Sequence, residues 1–148
     1  MLKELKKSSL EAGFETHIAM SDKDINDQLN RIIREGDLPL ALVSWDLDIK
    51  ITFDENGFLK NPTTEVTMLL LDKASSLEKI DLEEKAEEMG ELFISFIRGY
   101  KDSLVLETNV RENPITDISF VYVPKYGNGQ HSGVLGKLTT QLPISDEC

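Results

Sequence analysis

Side chains that commonly bind transition metals are scarce in this sequence. It contains one cysteine, Cys148, and two histidines, His17 and His131, in 148 residues. The three positions lie far apart in the chain, and none has the C-x-x-C or H-x-x-x-H spacing typical of a zinc site. A single cysteine cannot form an internal disulfide, and a free thiol suits a reducing compartment. We therefore expect no zinc site and no disulfide, in a protein made in the cytoplasm.

Long apolar runs are absent as well. No stretch approaches the ~20 apolar residues that a membrane-spanning helix needs. The first residues, MLKELKKSSLEAGF, are basic but contain neither a continuous apolar segment nor a small-residue cleavage site. We therefore predict no membrane span and no secretory signal.

Basic residues are too few to balance the acidic ones. The chain has 16 Lys and Arg against 27 Asp and Glu, which gives a net charge of −11. Proteins that bind the phosphate backbone of nucleic acids cluster their Lys and Arg, so this balance argues against such binding. It fits a soluble monomer, a protein with a basic partner, or a surface past which DNA slides without adhering.

Motifs of common enzymes are also missing. No serine lies in a G-x-S-x-G motif, and Cys148 is at the last position, where a nucleophile is hard to hold in place. Gly136-Lys137 is similar to the end of a phosphate-binding loop, but no Ser or Thr follows it, and His131 occupies the position of the first glycine. A strand is predicted after these glycines, so a dinucleotide-binding fingerprint fails too. The sequence therefore predicts no enzymatic activity and no cofactor.

An acidic cluster near a predicted turn invites a metal-binding interpretation. It consists of Asp46, Asp48, Asp54 and Glu55. These residues lack the alternating ligands, central glycine and final glutamate of a calcium-binding loop. We interpret the cluster as a solvated strand face followed by a hairpin, without a bound metal.

The clearest structural signal is an amphipathic helix over residues 82–101. Its apolar residues recur with the helical period, whereas its glutamates fall on the opposite side. We expect Asp81 to be the N-cap, with Glu84 completing a capping box. The segment therefore predicts a helix over residues 81–101 that covers an apolar sheet.

Leu92 and Ile94 flank the apolar stripe of this helix and exceed what one sheet face needs. Gly90 lies near the stripe, where it allows a close backbone approach. The extra apolar surface forms part of a subunit contact, or else the N-terminal helix covers it.

The remaining elements follow from hydrophobic periodicity and turn signals. Helices are predicted over residues 1–12, as a short helix or docking arm, and over 21–35. Strands are predicted over residues 14–20, 38–43, 48–53, 64–71, 104–110, 115–123 and 134–144, the first of them being alternatively an extended connector. Gly136 is expected to form a bulge, and residues 145–148 a frayed tail. The fold class is α+β: one domain over residues 1–148, whose helices pack on a mostly antiparallel sheet of about five strands.

Two polar segments are candidates for interaction with other molecules. The first is a hairpin turn formed by Asp54, Glu55, Asn56 and Gly57, whose Asn and Gly accept a positive φ. The second is a flexible glycine-rich loop over residues 124–133, with Tyr126, Gly127, Asn128, Gly129, Gln130 and His131 as its candidate contacts. This loop is either a mobile hairpin connection or a segment that orders against a neighbouring molecule.

The order of these elements resembles that of phage tail-terminator and tail-completion proteins. The features that carry the resemblance are the N-terminal arm, the helix ending at Gly36, the DLPLALVSW strand, the DENG hairpin, the TTEVTMLLLDKA strand and the final helix and strands around the glycine-rich loop. It covers most of the chain and is a likeness in architecture. Related neck-ring and head–tail connector proteins share that architecture.

The resemblance implies a structural protein of the virion that forms a ring, often a hexamer or dodecamer, at the head–tail junction or tail end. The ring would bind other connector or tail proteins, and DNA would pass an acidic channel without sequence-specific binding. No catalytic residue is implied. The alternative is an acidic inhibitor or immunity-type protein, which would concentrate its carboxylates on one face and bind a basic partner protein. A small-molecule-binding module remains a third alternative, for which a deep apolar pocket would be the sign.

Overall fold

The computed structural model describes residues 2–19, 38–44, 48–60, 62–108, 115–126 and 131–141. The elements in these residues are α1 (Leu2–Ala12), β1 (Glu15–Ala19), β2 (Leu40–Ser44), β3 (Ile49–Lys50), β4 (Thr63–Lys73), α2 (Lys79–Thr108), β5 (Ile115–Tyr126) and β6 (His131–Gln141). The helix predicted over residues 21–35 and the tail predicted over 145–148 lie outside the described residues.

The strands form a 6-stranded sheet with the order β1-β2-β4-β6-β5. β6 occupies one edge of β4 along its whole length, so β2 and β3 follow each other along the other edge. Only β1 and β2, among the described strands, pair in parallel. The predicted α+β fold with a mostly antiparallel sheet is therefore confirmed.

Both described helices lie on one face of the sheet and enclose the main core. The apolar stripe of α2 is buried as the periodicity predicts, through Leu82, Ala86, Met89, Phe93, Phe96 and Tyr100. Phe96 contacts Phe14 at 5.4 Å between ring centroids, and Leu5 of α1 belongs to the same cluster. On the opposite face of the sheet, Leu40 and Leu42 form a smaller buried cluster with Leu69.

The start of α2 differs from the sequence prediction. The helix begins at Lys79, so Asp81 is inside its first turn and is not the N-cap. Ser76 instead accepts a hydrogen bond from the backbone N–H of Glu78 at 3.0 Å and donates one to the Asp81 carboxylate. The capping-box prediction with Glu84 is wrong for the same reason. Glu78 is the N-cap, because its carbonyl accepts the first helical hydrogen bond, from the N–H of Leu82. The Ser76 hydroxyl holds Glu78 in place through its N–H, and Asp81 orients that hydroxyl.

The end of α2 corrects a second prediction. The strand expected over residues 104–110 is helical through Thr108. Leu104 is buried and lies four residues after Tyr100, so it continues the same helical stripe. The alternation of Leu104 with Leu106 matches a strand equally well, and packing against the core decides between the two.

Gly136 is regular strand, and the bulge predicted there is wrong. It pairs with Met68 on one side and with Phe120 on the other, without a register shift. The bulges of this hairpin lie instead in β5, between Thr116 and Ser119 and between Val123 and Tyr126. Glycine is present at position 136 because a Cβ there would meet the ring of Phe93.

An ion-pair network fixes α2 to the sheet near its start. The ammonium group of Lys85 lies 3.3 Å from the Asp72 carboxylate of β4 and 2.9 Å from that of Glu88. Partial burial alone would lower the pKa of Lys85, but its bonds to Glu88 and Asp72 outweigh this effect and raise that pKa. Closer to the start of α2, the Ser132 hydroxyl of β6 donates a hydrogen bond to the backbone carbonyl of Leu82.

Candidate interaction surfaces

A two-stranded ribbon projects beyond the end of the sheet. It consists of residues 49–60 and is called the arm below. Past the short β3 pairing, the backbone N–H of Lys60 donates to the carbonyl of Thr52 at 2.9 Å, and Phe53 bridges Leu59. The arm is thus a hairpin whose two segments hold each other by backbone hydrogen bonds.

The turn of the arm lies where the sequence predicts it, but of the predicted Asn–Gly pair only Gly57 has a positive φ. A carboxylate oxygen of Asp54 accepts hydrogen bonds from the backbone N–H groups of Asn56 and Phe58, both at 2.9 Å. Gly57 has φ +82°, a conformation that glycine adopts without steric cost. Glu55, Asn56 and Gly57 are exposed, whereas Asp54 is half-buried by the turn that it stabilises.

One face of the arm is apolar and uncovered. Phe53 and Leu59 lie directly opposite each other, so they share a face, and alternation along the strand places Ile49 and Ile51 on that face too. Each of the four side chains is more than half exposed. On the other side of the ribbon, Phe58 is 70% exposed. Such a contiguous exposed apolar surface is typical of a contact with another molecule.

The sequence did not reveal this surface, because strict alternation of apolar and polar residues usually marks a strand with one buried face. What the pattern could not show is that the arm extends past the last residues of β6 that pair with β4, Thr140 and Gln141. Beyond that point, no described element covers either face of the arm.

The exposed carboxylates are distributed over several surfaces. The outer face of α2 carries Glu83, Glu84, Glu87, Glu88 and Glu91. Other exposed carboxylates lie on the opposite face of the sheet at Glu65, in the turn of the arm at Glu55, and on the sheet edge at Asp117. Among the described residues, the outer face of α2, called the glutamate face below, is therefore the densest of several acidic surfaces.

The strands β5 and β6 enter the segment that the sequence predicts as a flexible loop over residues 124–133. β5 continues to Tyr126 and β6 begins at His131, and these two residues pair with each other. The prediction of a loop is therefore wrong for residues 124–126 and 131–133. The predicted contacts Gly127, Asn128, Gly129 and Gln130 lie outside the described residues. Ser132 and Gly133 are buried, so this end of β6 is part of the core.

The two candidate contacts on α2 have different environments. Leu92 is half-buried and packs against the main core cluster, which also contains Leu5 of α1. Ile94 is 44% exposed and stays available on the surface. Gly90 allows the close approach that the sequence predicts, because a Cβ there would lie 3.2 Å from the rings of Phe120 and Tyr122.

The strand β5 carries apolar residues at the edge of the sheet. Ile118, Val121 and Tyr122 are each exposed by 45% or more, although they belong to a well-paired strand. Val121 pairs with Leu135, and Tyr122 with Val134. Sequence alternation predicts such a strand correctly but cannot show that it is the last one in the sheet.

A polar cleft of about 350 Å³ lies where β2 gives way to β3 along the edge of β4. It is lined by Ser44, Asp48, Lys50, Thr63, Thr64, Glu65, Thr67 and Thr139. The Thr64 hydroxyl donates a hydrogen bond to the carbonyl of Asp48 at 3.0 Å, which joins its two walls. The described residues contain no group of three or more His, Cys, Asp or Glu side chains arranged to hold a metal ion.

Neither described helix is long and apolar enough to cross a membrane. Comparison of the sequence with protein-family models and with curated proteins finds no match. The arm, the glutamate face and the edge strand β5 are our candidate interaction surfaces.

Proposed function

We propose that this protein is a non-enzymatic structural subunit of a phage virion that assembles into a ring at the head–tail junction or the tail end. In this function the ring binds other connector or tail proteins, and DNA passes its acidic surface without sequence-specific binding. The protein is made in the host cytoplasm and ends in the virion.

The observation that carries the proposal is the uncovered apolar face of the arm. Ile49, Ile51, Phe53 and Leu59 share this face and are each more than half exposed. An exposed apolar surface of this kind is typical of a contact with another molecule. Any solution of the protein contains further copies of the chain, so a second copy is always available as a partner. The arm of one copy then lies on a different surface of the next copy.

A contact between unlike surfaces sets the symmetry of the assembly. The arm is on the β2 and β3 side of β4, and the surface of the next copy that receives it is a different one. A contact of this kind is head-to-tail, and it gives a closed ring when the rotation between copies closes. This symmetry is what a ring around a DNA channel requires.

The distribution of charge fits the same function. Carboxylates occur on the glutamate face, in the turn of the arm and on the opposite sheet face. In a ring, these surfaces divide between the channel and the two rims, and a negative channel repels the phosphate backbone. The acidic turn at Asp54 and Glu55, together with the glycine-rich segment after Tyr126, is our candidate for the parts that face the channel or the next ring.

The glutamate face favours a second function, that of an acidic inhibitor. Its closely spaced carboxylates on one helix could cover the basic surface of a nuclease. A protein of this kind is monomeric until it meets its partner. Replacement of Glu84 and Glu91 by Lys should abolish binding to a basic nuclease used as the probe, whereas Glu65→Lys on the opposite sheet face should not.

Native mass spectrometry of the purified protein, with negative-stain electron microscopy, separates the two functions. A closed ring of defined mass is the expected result. A strict monomer at high concentration that also binds no connector or tail component contradicts the ring. If that monomer binds the basic nuclease through the glutamate face, the inhibitor is the correct function.

A further inference from the structure

In the described part of the chain, the edge of β5 that faces away from β6 is open, and between its two bulges it carries none of the usual protection against strand pairing. The strand β5 is the last in the sheet order, and β6 occupies its other edge. Residues 118–123 read ISFVYV and contain no charge, glycine or proline. Natural edge strands are normally blocked by charges, prolines or bulges, because an open apolar edge binds further strands.

The regular part of this edge has definite ends. Pairing with β6 is uninterrupted from Ser119 to Val123, and the register shifts on either side of that stretch. Asp117, in the first irregular segment, has φ +53°, and Pro124 lies in the second. The residue at the centre of the regular stretch is Val121.

We propose that β5 pairs with the β5 strand of a second copy, antiparallel and with Val121 on the two-fold axis. This register is the one that overlaps the whole regular stretch of both strands and keeps both bulges outside the new ladder. The two sheets then continue into each other through hydrogen bonds along the open edges. The proposal rests on β5 alone and does not require the ring.

The side chains of β5 match this register. Residues directly opposite in an antiparallel pair share a face, so Phe120 of one copy meets Tyr122 of the other. Phe120 is already held in place by Phe93, at 5.7 Å between ring centroids, and by Tyr122 of its own chain, at 5.6 Å. On the other face Val121, 60% exposed in one chain, is covered by its own symmetry mate.

The charges at the two ends of the edge are complementary in the same register. Asp117 and Lys125 are both exposed, and each lies four positions from Val121. Antiparallel pairing about Val121 therefore brings Asp117 of each copy to the same end of the new ladder as Lys125 of the other. A parallel pairing in register would instead bring like charges together, which disfavours it. These charges identify a second copy of this chain as the occupant of the edge.

A two-fold contact differs in kind from the head-to-tail contact proposed for the ring. It uses the same surface on both copies, so it is complete after two chains. When it occurs together with a ring, it joins two rings face to face. When it occurs alone, it gives a dimer.

The first experiment uses disulfide formation across the axis. Val121→Cys is made in a Cys148→Ser background, with Ile80→Cys as the control because both original side chains are 60% exposed. Under mild oxidation the Val121→Cys chain should form a covalent dimer at least about tenfold faster than the control, because pairing raises the local thiol concentration. Equal rates for the two variants overturn the proposal.

The second experiment disrupts the contact without a cross-link. Val121→Lys brings two ammonium groups face to face across the axis and should abolish pairing, whereas Ile80→Lys should leave it unchanged. Lys125→Asp should weaken pairing, and Asp117→Lys added to it should restore it. Circular dichroism confirms that each variant is folded. Unchanged self-association in Val121→Lys overturns the proposal even if the other variants fail to fold.

Native masses of the wild type and of Val121→Lys distinguish this proposal from the ring. A dimer that becomes a monomer in Val121→Lys supports the pairing and contradicts the ring. A ring of equal mass in both supports the ring and contradicts the pairing. A double ring that becomes a single ring supports both, and a monomer throughout contradicts both.

Discussion

The aromatic ring of Phe93 lies directly over Gly136 on the neighbouring strand β6. A Cβ built on Gly136 would lie 2.5 Å from this ring, which is closer than non-bonded contacts of real Cβ atoms come. The absence of a side chain at position 136 therefore sets how close α2 lies to the sheet. We expect Gly136→Ala to lower the free energy of unfolding by about 1–3 kcal/mol, measured by urea denaturation, because the helix must move or Phe93 must leave its rotamer.

A matched substitution and a double mutant test this cause. Gly99 lies in α2, the helix that contains Phe93, and no atom lies within 4 Å of a Cβ added there. Gly99→Ala should therefore raise the free energy of unfolding by about 0.5–1 kcal/mol. Phe93→Leu should remove part of the clash, so its effect and that of Gly136→Ala should not add. Additive effects would show that the two residues do not interact.

The start of α2 provides a second test, because the structure places the side-chain hydrogen bonds of the helix start at Ser76 and not at the predicted Asp81–Glu84 capping box. Ser76→Ala removes both the acceptor for the Glu78 N–H and the donor to Asp81. We expect a loss of about 1 kcal/mol in the free energy of unfolding, because these hydrogen bonds are removed. Ser75→Ala, at the exposed neighbouring position, should change stability by less than about 0.5 kcal/mol. Equal effects of the two substitutions would contradict a stabilising role of Ser76.

The sequence predicted those features that depend on local patterns of residues. The stripe from Leu82 to Tyr100 was predictable because helical period and burial agree there, and the Asp54–Gly57 turn because Asn and Gly favour it. The end of α2 was not predictable, because Leu104 and Leu106 fit the periodicity of a helix and that of a strand. Contact with the core at Leu104 decides the outcome, and such contacts are not encoded locally.

The candidate interaction surfaces were harder to predict for a related reason. Alternation shows that Phe53 and Val121 each lie on one face of a strand, but not whether another element covers that face. Coverage depends on strand order and on where neighbouring strands end, such as β6 at Gln141. Consequently the sequence predicts that the apolar residues of the arm are buried, whereas the structure shows that they are exposed.

Stability at high pH should depend on Tyr100. Burial raises the pKa of its hydroxyl to about 12, despite a hydrogen-bonding contact with Thr140 that lowers it, with the charge of Glu4 adding to the increase. The unfolded chain releases this proton near pH 10, whereas the folded chain retains it until about pH 12. Stability is thus fully present below pH 10 and falls as the pH rises toward 12, by up to about 1.4 kcal/mol per pH unit.

Two tyrosine variants isolate this effect from the titration of lysines in the same pH range. Urea denaturation at pH 9, 10 and 11 measures how the free energy of unfolding falls with pH. In Tyr100→Phe this fall should be smaller than in the wild type, because phenylalanine has no proton to release. Tyr122→Phe, which replaces a half-exposed tyrosine, should decline as the wild type does. A Tyr100→Phe chain whose stability falls as steeply as that of the wild type would refute the assignment.

The arm provides the test closest to the proposed function. Phe53→Ser and Leu59→Ser remove the two facing side chains of its apolar face, and we expect each to reduce ring assembly strongly in analytical ultracentrifugation. Because both side chains are more than half exposed in a single chain, the free energy of unfolding of the separated subunit should change by less than about 0.5–1 kcal/mol. Phe58→Ser, on the other side of the ribbon and even more exposed, controls for a general loss of apolar surface. If Phe58→Ser reduces assembly as much as Phe53→Ser does, the contact does not use the face formed by Phe53 and Leu59. If all of these variants assemble like the wild type, the arm is not the contact that closes the ring.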